Sequence, residues 1–165
     1  MIARRVFCLP VFARPGSAMI VLKHVLLPVD FSDNSLRATE YAVLFCRKYA
    51  ATLHLVHVIE DPTVYLPVLE GYSLPSHAQL ETYAQDRLEN WLSPEQSDGL
   101  TLEHQWMHGN PAARIVEYAR DCRLDMIVMG AHGRGGATHL LMGNTAEKVV
   151  RKAPCPVLTV NPETF

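Results

Sequence analysis

Toward the C-terminal end of the chain, Gly130-Ala131-His132-Gly133-Arg134-Gly135-Gly136 has the composition of a loop that holds an anion with its backbone. Lacking a Cβ, glycine lets main-chain N–H groups come close to a phosphate. No Lys-Ser/Thr pair follows these glycines, so the loop is not a Walker A motif. It does not fit G-x-G-x-x-G either, since counting from Gly133 the last position is Thr138. A wide turn between strand and helix explains the glycines alone equally well. Further on, Gly143-Asn144-Thr145 opens a helical stretch, offering N–H groups and a hydroxyl at the end that favours negative charge. Asp30 closes the apolar run HVLLPVD, but no second acid, activated nucleophile or triad pattern accompanies it. No catalytic residue is therefore assigned.

Eight histidines raise the question of a metal. His54 and His57 fall on one strand pattern and His104 and His108 on another. Residues three or four apart on a strand do not converge as they do on a helix, and His54 and His57 point to opposite faces. No metal site is read from these side chains. His132, inside the loop, has the chemistry to touch a phosphate, with a purely local turn role as the plainer reading. Cys8, Cys46, Cys122 and Cys155 are too widely spaced for a zinc ribbon and read as reduced, packed thiols, which points to the cytoplasm.

The elements that would position these groups alternate. Strands are read at His24–Asp30, Thr52–Ile59, Leu100–Met107, Asp125–Met129 and Pro156–Val160. Helices are read at Ser35–Ala50, Gln79–Leu92, Ala112–Cys122 and Thr145–Lys152. Pro62 to Pro75 reads as a long loop and Ser93 to Gly99 as polar turn material. In the Gln79–Leu92 stretch, Tyr83, Trp91 and the leucines read as core. Strands that are apolar runs, alternating with helices, predict a doubly wound, five-stranded parallel sheet covered on both faces. Its ligand edge collects Asp30, Val58 to Glu60, Gly109 and the Gly130 loop. At 165 residues, 48% apolar and a net charge of −2, the chain suits one domain and lacks the basic excess of a nucleic-acid binder. No apolar run is long enough to cross a membrane. Residues 1–18 do not share the pattern and are read as an extension, disordered or mis-started, before a domain at 19–165.

The spacing Gly130, two residues, Gly133, nine residues, Gly143, together with VLLPVDFSDNS, LHLVHVIE and VMGAHGRGGATHLLMGNTAEKVVRKAPCPVLTV, resembles the universal stress protein family, ATP-binding subgroup. The resemblance covers about Leu22 to Val160. It implies a Rossmann-like fold holding ATP with Mg²⁺ at the sheet's switch point. Asp30 would lie near the adenosine and the Val58 backbone would read the adenine. Gly130 and Gly133 would pass close to ribose and phosphates, and Gly143, Asn144 and Thr145 would give donors to phosphate oxygens. Asn144 departs from the family's Ser or Thr. Arg134 is the one basic side chain placed to help, so any hydrolysis should be slow. The resemblance also implies a homodimer through Pro156 to Val160, a strand whose sheet edge would otherwise be bare. The function expected is a nucleotide-dependent stress-response switch. The alternatives are a nucleotide-free dimerisation and interaction module of the same fold, and a nucleotide hydrolase.

Overall fold

The structure is a computed structural model that describes residues 21–60, 75–133 and 142–161. Five strands, β1 (His24–Pro28), β2 (Thr52–Ile59), β3 (Thr101–His108), β4 (Met126–Gly130) and β5 (Val157–Val160), form one sheet in the order β3-β2-β1-β4-β5. Every pairing is parallel. The doubly wound α/β fold expected from the alternation is the fold observed. The expected extension at residues 1–18 lies outside the described residues, as does Arg134.

Among the described residues there are five helices, α1 (Asp33–Tyr49), α2 (His77–Glu89), α3 (Pro94–Ser97), α4 (Pro111–Asp121) and α5 (Asn144–Lys152). The sheet separates two cores. On one face, Val25, Leu27, Leu53, Leu55 and Val128 pack against Ala38, Ala42 and Cys46 of α1 and Leu88 of α2. On the other, Leu26, Val56, Val58, Ile127 and Met129 pack against Ile115, Val116 and Ala119 of α4 and Ala146 and Val149 of α5. Central strands buried on both faces account for the unbroken apolar runs of the sequence.

Some expectations are corrected. The stretch read as turn material contains α3, whose Ser93 and Gln96 form a reciprocal capping box. In α1 Leu36 is exposed, and the buried stripe runs through Ser35, Ala38, Thr39, Ala42, Val43 and Cys46. Tyr83 is likewise half out of the core at 49% exposure. Cys122 is exposed rather than packed, while burial pushes the Cys46 thiol up to about 12.

Candidate functional site

The connection leaving β1 runs to β2 on one side, while β4 lies on β1's other side. The two chain directions part at the carboxyl ends of β1 and β4, the place where open α/β sheets hold ligands. A cavity of about 720 Å³ opens there, within the size range of small-molecule sites. Seven of the residues singled out from the sequence line it: Asp30, Val58, Gly130, Gly133, Gly143, Asn144 and Thr145. His132 lines it too. So do Val56, Met129, Pro111 and Ile115, which form an apolar side on the α4 face, and Leu80 and Tyr83 of α2.

Asp30 sits in a closed set of hydrogen bonds. Its Oδ1 accepts from the Ser32 N–H at 3.1 Å, the Ser32 hydroxyl at 2.5 Å and the Ser35 hydroxyl at 2.6 Å. The Asp30 N–H in turn donates to Ser35 Oγ at 3.1 Å. Ser32 also caps α1, its hydroxyl accepting from the Ser35 N–H. Ser35, where the sequence pattern starts the helix, is buried beneath the carboxylate. The preceding residue is held from both ends. Val29 donates its N–H to Val56 at 2.8 Å, and its carbonyl lies 2.7 Å from His57 Nδ1. A carbonyl only accepts, so that nitrogen carries the proton.

The glycines differ in what they do. A Cβ at Gly130 would stand 3.0 Å from the backbone carbonyl carbon of Asn34, so this glycine lets α1 close against β4. A Cβ at Gly133 would lie 2.9 Å from Asp30 Oδ2, so the loop passes directly over the carboxylate. Gly143 donates its N–H to the Ala131 carbonyl at 2.8 Å and is the N-cap of α5. It supplies no side-chain cap, whereas Ser32, Ser76, Ser93 and Asn110 cap α1 to α4. The first turn of α5, Asn144, Thr145 and Ala146, borders the cavity. Such an end presents backbone N–H groups and the positive pole of the helix dipole to whatever occupies the space.

What the sequence reading missed at this site is the α2 wall and the Ser35–Asp30 bond. Away from the cavity, His54 (3% exposed) lies 3.0 Å from the Tyr118 hydroxyl and 3.1 Å from Nδ1 of His24, on the sheet face opposite His57. Burial holds its pKa below the ordinary histidine value, with His24 adding to the effect and Glu103, 3.4 Å away, opposing it. Among the described residues no cluster of three His, Cys, Asp or Glu is placed to hold a metal ion, and no helix is long and apolar enough to cross a membrane.

Comparison with known proteins gives a consistent family. The universal stress protein family profile matches residues 22–161. The chain is 33% identical over 139 residues to universal stress protein MJ0531 of Methanocaldococcus jannaschii, covering 84% of this chain and 81% of that protein. The solved structure of MJ0577 from the same organism superposes with a TM-score of 0.73 at 27% identity, covering 88% of this chain and all of the other. A universal stress protein of Archaeoglobus fulgidus, solved in complex with dAMP, superposes with a TM-score of 0.59 at 23% identity, covering 86% and 98%. At that identity the likeness speaks for the fold.

Proposed function

The chain belongs to the universal stress protein family, and from that premise we propose that it binds ATP, with Mg²⁺, and serves as a nucleotide-dependent switch in a stress response. One observation carries the reading: α5 begins with no side-chain cap, and its first turn opens on a cavity of about 720 Å³. Its amides, with Gly143, Asn144 and Thr145, would take phosphate oxygens. The Gly133 loop, with Arg134 following, would lie along them. The apolar side formed by Val56, Met129 and Ile115 suits a purine ring, next to the end of β2 where the Val58 backbone stands. The relative solved with dAMP is a protein of this fold that holds an adenine nucleotide.

Hydrolysis by this chain would be slow at most. Oδ1 of Asp30, against which the Gly133 loop lies, is committed to three donors, which suits it poorly to act as a general base. The divalent ion would come with the phosphates, since Mg²⁺ needs few protein ligands. β5 is an edge strand of the sheet; we assign it the contact between two copies of the chain through Pro156 to Val160, in the cytoplasm where its thiols stay reduced.

Calorimetric titration with ATP, ADP, AMP and cyclic AMP, with and without Mg²⁺, tests the site. Saturation at one ATP per chain is expected. A folded protein that takes none of the four nucleotides overturns the reading in favour of a nucleotide-free interaction module.

A further inference from the structure

Phe31 directly follows Asp30 and has a φ of 64°. This is left-handed backbone, easy for glycine and an outlier for a bulky aromatic residue. Such a conformation persists only where its surroundings over-determine it, and it clusters at ligand clamps and switch regions. The surroundings of Phe31 are specific. Its ring centre lies 4.3 Å from that of His57 on β2, 5.7 Å from that of Trp91 and 6.1 Å from that of Tyr83. The Arg87 guanidinium, also from α2, stands 4.9 Å from the centre of the Phe31 ring and 5.7 Å from that of Tyr83.

Phe31 joins Asp30 to Ser32, the two residues whose side chains close the hydrogen-bonded turn. Its backbone angle sets where the Ser32 N–H and hydroxyl stand relative to the carboxylate. We propose that Phe31 is a positioning residue for Asp30, and that through it the orientation of the carboxylate depends on α2 being seated against the sheet. The proposal rests on the reading of Asp30 as part of a nucleotide site and extends it to regulation of that site. α2 supplies the Phe31 ring with its cation and its edge-on partner, and it carries Leu80 and Tyr83 to the cavity wall. Ligand and helix therefore share one support. A nucleotide engaging Asp30 steadies α2, and a loosened α2 weakens the nucleotide by the same factor.

Phe31→Gly permits the backbone angle without strain but removes the whole side chain and frees the backbone, so its effects are read together with those of Arg87→Ala. We expect its ATP affinity to fall by about tenfold, and exchange of the Ser32 amide, measured relative to that of Val128 in β4, to quicken by about the same factor. Phe31→Tyr keeps the ring and holds both near the wild-type values. Arg87→Ala leaves Phe31 untouched and shifts both quantities in the same direction by about threefold; it carries the test if Phe31→Gly does not fold. If these variants lower the melting temperature but leave relative Ser32 exchange and ATP affinity unchanged, Phe31 is packing alone and the proposal falls. A wild-type chain that binds no ATP overturns the functional reading, while Ser32 exchange still decides whether Phe31 positions Asp30.

Discussion

At the β1–α1 corner, Ser32 and Ser35 turn their hydroxyls onto Asp30, and Ser32 also takes an amide of the helix. At the β4–α5 corner, on the same edge of the sheet, Gly143 offers α5 no side chain at all. In both, a strand leads on to a helix whose N-terminus lies at this same edge. The first satisfies its polar groups internally and becomes a rigid fixture. The second leaves N–H groups for an external acceptor at little expense in helix stability, because glycine at an N-cap falls short of a capping side chain by only about a few tenths of a kcal/mol. A glycine at this N-cap also gives the chain room. A Cβ there would meet the Ala131 carbonyl oxygen at 3.2 Å and the His132 Cα at 3.3 Å. Rigidity at one corner and open valence at its neighbour together make a site with one fixed wall and one receptive wall.

The strongest way to break this contrast is to make the second corner resemble the first. Gly143→Asp places a carboxylate on the first turn of α5, where it satisfies the amides and repels phosphate. ATP affinity should drop on the order of a hundredfold, as calorimetry would report, and by clearly more than for Gly143→Ala, which brings the same Cβ against Ala131 and His132 without the charge. Unchanged affinity would mean that α5 does not hold the phosphates. Conversely, Ser35→Ala opens the first corner. It removes a buried hydroxyl that both donates to and accepts from Asp30, so a loss of about 1–2 kcal/mol is expected, or about 3–6 °C in melting temperature. A smaller loss would show that the closed turn is less rigid than its hydrogen bonds imply.

The mildest test separates the corners from the rest of the fold. The folded-state pKa of His54 is lowered, so its contribution to stability is whole above the unfolded value of about 6.5. As pH falls through that value, the unfolded chain takes up a proton that the folded chain refuses. Stability then declines, by at most about 1.4 kcal/mol per pH unit for this one proton, until the folded group also titrates. Denaturation across pH 5 to 8 should show that slope, and His54→Phe should flatten it. His54 sits away from both corners, so its removal should leave ATP affinity at pH 7.5 unaltered.

Strand positions and the parallel order were readable in the sequence because strands buried on both faces have no polar alternation to obscure them. The glycines at 130, 133 and 143 were readable as a group, but not in their separate tasks. Gly130 is demanded by the approach of Asn34 from α1, a contact between segments about a hundred residues apart that no local pattern encodes. Tyr83 fits an apolar stripe of α2 by its spacing, yet that side of the helix reaches past the sheet edge, where the core ends and the cavity begins. Ser93-Pro-Glu-Gln96 has the pattern of a capping box, but the stretch is too short and polar to carry a helical period. The angle at Phe31 has no signature in sequence, since its ring packs against His57 on β2 and against Arg87 and Trp91 at and just past the end of α2, two places far from it in the chain.

The chain has two tryptophans, and their placement makes the molecule its own optical instrument. The Trp91 indole N–H donates to the buried Thr39 hydroxyl at 2.9 Å, and its ring faces Phe31. Trp106 lies on edge strand β3 beside His108. Emission from the first reports the seating of α1 and α2 around Asp30, while the second sits beside His108, which α2 contacts through His77 and Glu81, so its signal overlaps the first. With Trp106→Phe, a change in the remaining emission on adding ligand reads the fixed corner alone, without any attached dye.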